Sequence, residues 1–480
     1  MITHTNTHSN SEMEGEMKLD KWGYEVRTCS DSCISALNSY YHEVLNYGRK
    51  RSVVLEAPKS DPHCVLGNIL AAQFLISTDF SRASELIDDA KSHLEYASLY
   101  EKAVFDTVLY YISSDRDDDL AVELHSKLLQ EFPKDLVSLK RAQVLCFYMG
   151  RPDLSLTLVE QVLPMNDHEE YVYGMLAFPL LELGRIEDAE KAGKKGFDIN
   201  KNDTWSQHAL CHVYQYECRF KEAVKFMEDC AKSWRSLSSF MYTHNWWHVA
   251  LCYLEGHAPI EKVREIYDEY IWKELERSDA IAAEVYLNAI GLLLRVYVRG
   301  EHYHFEDRLE ILAKLLEDKA LWFLEWHLDV LILWALSYTR KFSKAEDLLK
   351  GLKSRISTMS KKKQQSMQRC LSLAEALYKY GKGDNKQALE LLGYEFDAVN
   401  YKIIGASDEQ LDVFIEVHIN ILLNTGETTT AIQTIENQLK KREGAPFLWS
   451  LLEQAYSTLG REEAASYGEK ARELEAKYFS

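Results

Sequence analysis

Proline and glycine are scarce, 8 and 21 of 480 residues. That is too little turn chemistry for a many-stranded sandwich or barrel. Positive charge is short as well: 56 Lys+Arg against 75 Asp+Glu leave a net charge of −19. Such a balance argues against a surface that tracks the phosphates of nucleic acid or of an anionic bilayer. No run approaches the roughly 18 uncharged apolar residues that a spanning helix needs. The opening MITHTNTHSNSEMEGEM lacks the apolar stretch of a secretory signal. Cysteine occurs nine times but never as CxxC. An odd count at scattered spacings excludes a disulfide framework and points to a reducing compartment, the cytoplasm. Phosphate-binding and nucleophile-elbow signatures of the GxxxxGK[ST], GxGxxG and GxSxG kind have no strand–turn–helix context here. The acidic run Asp115–Asp119 lacks the alternating ligands of a calcium loop and reads as a solvated connection.

What is present is ample apolar matter, 46% of residues with 11% aromatic, enough for a continuous core. A repeat organises it. Turn-plus-small-residue segments begin at Gly150 (GRPDLSLTLVEQVLP), Gly184 (GRIEDAEKAGKKG), Cys218 (CRFKEAVKFMEDC) and Gly460 (GREEAASYGEKA). The small residues Ala121, Ser155, Ala189 and Ala223 follow one another at intervals of 34. Further copies stand at Ala83, Val263, Ala345, Ala388, Ala431 and Ala465, spaced by 34 or by about 38–43 residues, except that a helix-rich unit around Asp279–Lys319 fills the longer gap between Val263 and Ala345. A small residue lets the second helix of a pair approach the first, and glycine closes the turn between them. Phe80, Ile186, Phe220, Ile260 and Phe342, three before their markers, are expected to pack beneath the turns. No single pair buries its apolar face alone, so neighbours must stack. These intervals resemble the tetratricopeptide repeat.

Two segments depart from a plain scaffold, DTWSQHALCHVYQ and THNWWHVALCYLE. His208 and His212 are four apart, as are His244 and His248, so each pair shares a helix face. His208 and His248 both stand 15 residues before their markers, Ala223 and Val263, and so hold one register on successive first helices. Lys140 and Gly174 hold that register in the two preceding repeats. Three readings follow. The imidazoles form a metal site, zinc foremost; or they line a small-molecule or peptide pocket with Asp203, Trp205, Trp246 and Trp247; or they are hydrogen-bonded core. Cys29 and Cys33 read as structural thiols one helical turn apart.

The same two segments, with the opening DKWGYEVRTCSDSC, resemble the tetratricopeptide repeat protein 38 family. The matching motif residues are Asp203, Trp205, His208, His212, His244, Asn245, Trp247, His248, Ala250 and Leu251. In the opening they are Asp20, Trp22, Gly23, Thr28 and Ser30. Later elements match at Asp279, Ala280, Leu292 or Leu293, and Arg295. The chain departs from the family pattern at Gln143, Tyr173, Asn288 and Leu331. The resemblance implies an all-helical solenoid and no defined activity.

The expectation is therefore an all-α, right-handed superhelical solenoid of about eleven helix pairs. It would fill residues 19–480 behind a disordered tail at 1–18. Function is expected to be a non-enzymatic interaction scaffold that takes a partner peptide or helix in a concave groove. Lys140, Asp203, Trp205, His208, His212, His244, Asn245 and His248 are the expected groove contacts. The alternative is a small-molecule-binding or metal-dependent enzyme using the four histidines. No cofactor is required by the scaffold reading, nucleic acid and membrane are excluded as partners, and self-association is allowed.

Overall fold

The structure is a computed structural model that describes residues 16–479. It contains 24 α-helices joined by short 3-10 and π turns. The only strands among the described residues are Met17–Leu19 and Glu25–Arg27, an antiparallel hairpin with Lys18 opposite Val26. The chain is all-α with helix pairs of the tetratricopeptide kind. Of the tail expected at 1–18, residues 1–15 lie outside the described residues, and Met17 and Lys18 belong to the first strand. The repeat pattern suggests one continuous array over 19–480; by contact the chain forms two compact units. One runs to Leu145 and takes in Thr157–Val172; the other comprises Cys146–Leu156 and Tyr173–Ser480.

In the first unit the opening motif residues build the hairpin and its exit. Asp20 is buried, and its Oδ1 accepts the backbone N–H of Trp22 and of Tyr24, both at 2.9 Å. Gly23 takes φ +83° to close the turn, a conformation that costs other residues strain. Trp22 stacks on Tyr41 at 4.2 Å, and Ser30 caps the helix Asp31–Leu45. Cys29 stands before that cap and is exposed, whereas Cys33 is buried inside the helix. The Asp117 side chain likewise caps Asp118–Glu131, so the acidic run opens a helix.

Glu101 ties three segments of this unit together. Its carboxylate accepts from the backbone N–H of Arg27 at 2.9 Å, Ser98 at 3.0 Å and Leu66 at 3.4 Å while fully buried. Glu101→Ala orphans all three donors, and a loss of about 2–3 kcal/mol is expected. A urea titration of the variant against the parent measures it.

The second unit shows the repeat in its backbone. The turn residue takes positive φ at Gly150, Gly184, Cys218, His257, Arg340 and Gly460, among others. Each follows one helix and precedes its partner by two to four residues. Most of the small markers are buried in the second helix of their pair, Ala189, Ala223, Ala345 and Ala431 completely. The last is displaced by one: Ala464 is buried and Ala465 exposed. The residues expected beneath the turns diverge, because each opens its helix at the surface. Phe220 is buried, Ile186, Ile260 and Phe342 are half-buried, and Phe80 is 71% exposed.

Arg340 adopts φ +61° on an exposed turn, where a side chain pays a steric cost that glycine escapes. Arg340→Gly is expected to stabilise by about 0.5–1 kcal/mol after the entropy of glycine is offset, visible as a raised thermal midpoint. Lys361–Lys363 form the first turn of the long helix Lys361–Gly381, capped by Ser360. The closing helix is Ala464–Tyr478, anchored by the Tyr478 hydroxyl donating to Gly444 O at 2.7 Å. All nine cysteines are free thiols. Among the described residues no helix is long and apolar enough to cross a membrane.

Candidate metal centre

Two helices of the second unit carry the histidines. The first, Thr204–Tyr216, starts at Asp203, whose carboxylate accepts from the backbone N–H of Trp205 and Ser206 and from the Ser206 hydroxyl at 2.5 Å. The motif aspartate is thus an N-cap. The second, Ser239–Glu255, starts at Ser238, which accepts from Met241 N. Both helices are buried on nearly every face, so any polar side chain on them must find partners inside.

The four imidazoles meet. His208, His212, His244 and His248 each offer a ring nitrogen, and these atoms all lie within 4.8 Å of one another. Exposure is 3% or less at every one. The Nε2 atoms of His212 and His208 are 2.8 Å apart, and the His208 and His248 rings 4.8 Å centre to centre. Trp205 stacks on His208 at 5.1 Å, and Trp247 and Phe240 cover the two faces of His244 at 5.2 and 4.9 Å.

The outer nitrogens decide what the inner ones can do. His244 Nδ1 faces Asn288 Oδ1 at 2.8 Å, His248 Nδ1 faces Gln215 Oε1 at 2.8 Å, and His208 Nδ1 faces Asn245 Oδ1 at 3.3 Å. An amide oxygen only accepts, so each Nδ1 carries the proton and each Nε2 keeps its lone pair. His212 Nδ1 pairs with Glu409 Oε2 at 2.6 Å, from the helix Asp408–Asn424. Every imidazole is therefore held by its outer nitrogen and turns the other inward. His248 Nε2 is buried without a hydrogen-bond partner.

Charge follows the same plan. Burial pushes His244 down to about 4. Burial, together with the neighbouring His212, His208 and His244, drives His248 well below the usual histidine range. Burial works against a charged His212 too, but Glu409, with Glu182 and Asp408 behind it, raises it above that range. Glu409 moves the opposite way: burial favours its neutral form, and His212 holds it below the usual glutamate value. Of these rings His212 is therefore the one favoured to carry a second, charging proton. The short contact to His208 is an N–H of that ring donating to the lone pair of the other.

Beside this cluster lies a buried ion network. Glu255 receives Arg299 at 2.6 Å and Arg442 at 2.8 Å, and Glu416 receives Arg299 at 2.6 Å and Arg295 at 3.0 Å. Burial alone would raise Glu255, but Arg299, Arg442 and Arg295 overcome it and hold the carboxyl at about 2.

Of the residues expected to line a groove, all but the half-buried Trp205 are interior. Lys140 belongs to the first unit, its ammonium 4.0 Å from the Tyr47 ring centre. Asp203, His208, His212, His244, Asn245 and His248 are enclosed by their own and neighbouring helices. A docking peptide cannot reach them, so the assignment of these side chains as groove contacts is corrected. Asn288 keeps an acceptor oxygen on His244. Asp279 is exposed and pairs with Arg277 at 2.9 Å, away from the cluster. Gln215, seven residues after His208 on the same face, was readable from spacing. Asn288 and Glu409 arrive from other helices and carry no local signal.

No family model matches the chain. Among solved structures, a human IFIT1 dimer with m7Gppp-AAAA is 15% identical, covers 93% of this chain and 91% of that one, and gives a TM-score of 0.39. The human IFIT1 dimer with PPP-AAAA is 14% identical over 92% of this chain and 91% of that one, TM-score 0.39. Naa15/Naa10 bound to HypK-THB is 13% identical over 91% of this chain and 67% of that one, TM-score 0.25. The exclusion of nucleic acid is corrected by these findings, since the IFIT1 structures are with m7Gppp-AAAA and PPP-AAAA. A net charge of −19 sums the whole surface, whereas phosphate contacts depend on where cations stand.

Proposed function

We propose that this chain is a metal-binding helical-repeat protein of the tetratricopeptide repeat protein 38 type, working in the cytoplasm. Its centre is a four-imidazole site for a divalent transition metal, zinc first. The observation that carries this reading is the orientation of the rings. All four outer nitrogens are engaged by Asn245, Asn288, Gln215 or Glu409, and the four rings turn their other nitrogens toward one another. An orienting partner behind each ligand is how proteins set imidazoles on a metal, fixing tautomer and angle. Nitrogen donors suit zinc and its neighbours, and exclude calcium and magnesium, which take oxygen. Glu409 offsets part of the charge the ion would bring into a buried site. A core histidine cluster built only for packing has no need of four ring nitrogens turned toward one another, with one N–H shared between His212 and His208.

Elemental analysis of the natively purified protein tests the reading, with isothermal titration of Zn²⁺, Co²⁺, Ni²⁺ and Cu²⁺ into the chelator-treated protein. One ion per chain is expected, and none in His208→Ala/His248→Ala with helical circular dichroism retained. Metal-free native protein together with no saturable binding of any of the four ions sinks it. Behind the ligands, Glu409→Gln should keep the stoichiometry but weaken affinity by about 10–100-fold, read from the same titration.

A further inference from the structure

A second feature of this unit does not depend on the metal. A narrow recess, partly open to solvent, is walled by Trp247, Leu287, Leu331 and Val413 on its apolar side and by Arg295, His327, Gln410 and the Asn288 that also faces His244 on its polar side. Arg295 is 1% exposed and His327 2%, yet Arg295 Nε and His327 Nδ1 have no hydrogen-bond partner. Buried polar atoms are nearly always satisfied, and two orphans on one recess ask for a common partner. Arg295 Nε–H can only donate. Burial pushes His327 down to about 3, so its ring is neutral at physiological pH, and either of its nitrogens is able to carry the proton.

The surrounding charge states the sign. Arg295, Arg299 and Arg442 share Glu255 and Glu416. The next carboxyl, Asp412, lies 3.9 Å from Arg442 and is pushed up to about 7 by burial. Three guanidiniums thus share two carboxylates, with Asp412 shifted toward its neutral form by burial, which leaves positive charge in excess beside the recess. We infer that this recess binds a small monocarboxylate, its two oxygens taking the N–H groups of Arg295 and His327 and its first carbons lying against the apolar wall.

The test uses the full chain, zinc-loaded and chelator-treated, titrated with formate, acetate, propionate and butyrate, with acetamide as the uncharged control. Saturable binding of at least one acid in the millimolar range or tighter is expected in both forms, and none of acetamide. Gly291 lines the recess, and a Cβ there would stand 3.8 Å from Trp247 Nε1 and 3.9 Å from Leu331 Cδ1, ordinary contacts that leave the fold intact. Gly291→Ala should therefore narrow the recess and weaken binding about tenfold, with thermal stability at least that of the parent. His327→Leu should lose a similar factor, one hydrogen bond to a charged group. No saturable binding to either form overturns the inference, as does equal binding of acetamide. Binding confined to the zinc-loaded form and unchanged in Gly291→Ala also overturns it, since the acid would then sit on the metal. Metal content is measured apart from these titrations, so failure of the four-histidine reading leaves this result standing or falling alone.

Discussion

Zinc added to the chelator-treated protein is expected to raise its resistance to unfolding by about 4 kcal/mol when free metal exceeds the dissociation constant 1,000-fold. The source is linkage: the four nitrogens converge only in the folded chain, so an ion that needs all of them binds the folded state alone. His248→Ala should abolish the gain. It also removes a fully buried ring whose Nδ1–H donates to Gln215 Oε1 at 2.8 Å, so the metal-free variant should unfold below the metal-free parent, and the zinc-induced shift is read within each protein. Differential scanning calorimetry of both proteins with and without zinc gives the four numbers. A zinc-induced shift that survives in His248→Ala would mean the ion binds elsewhere.

Protons report on the same event. The 2.8 Å contact between His212 and His208 requires one N–H between two Nε2 atoms, and a metal there must displace it. One proton released per ion is expected at pH 6, below the raised value of His212, and the apparent affinity should fall about tenfold per unit as the pH drops further. Below about 4, where His244 takes up its own proton, the dependence should steepen. Calorimetric titration in two buffers of different ionisation enthalpy counts the protons.

Glu255→Gln is expected to have the largest effect on the metal-free fold, a loss of about 3–5 kcal/mol. The carboxylate is 2% exposed and stands at the junction of Arg299, Arg442 and Arg295. Removing its charge leaves guanidiniums buried with Glu416 as their remaining full partner. The effect should be partly recovered by adding Arg442→Gln, since that variant deletes one of the stranded charges. The two substitutions together then cost less than their sum. Denaturant midpoints of the parent, both singles and the double close the cycle. Additive losses would mean that Glu255 and Arg442 act independently despite a 2.8 Å contact.

How much of this was legible depends on the range of the interaction. The equal spacing of Ala121, Ser155, Ala189 and Ala223 repeats in the backbone as positive-φ turns at Gly150, Gly184 and Cys218, because local sterics and close helix approach act within one repeat. The pairing of His208 with His212, and of His244 with His248, follows from helical period alone. Their shared register before Ala223 and Val263 places the two pairs on neighbouring helices. Depth was misread. Helical period shows which residues share a face but not what covers that face, and the face of the histidine helices meets Glu409 and the helix behind it instead of solvent. Asn288 and Arg295 were named through the family resemblance alone, without their partners, and Glu409 was not named at all, since these partners are chosen by tertiary packing. Asp203 and Asp20 were legible in another sense: an acid just before a helix or a turn is a cap by spacing, whatever family motif it also belongs to.

The separation of Glu409 from the histidines along the chain has a consequence for the order of assembly. Rings on residues 204–255 are ready as soon as two adjacent helix pairs stack, a local event that needs little loop closure. The carboxylate comes from a helix beginning at Asp408, and a ribosome adding residues from the N-terminus delivers it last. A nascent chain halted before that helix would offer imidazoles without their counter-charge, a weaker trap for metal than the finished protein. On the proposed metal reading, high-affinity capture waits until the helix that carries Glu409 has been made, and the distance between His212 and Glu409 acts as a clock.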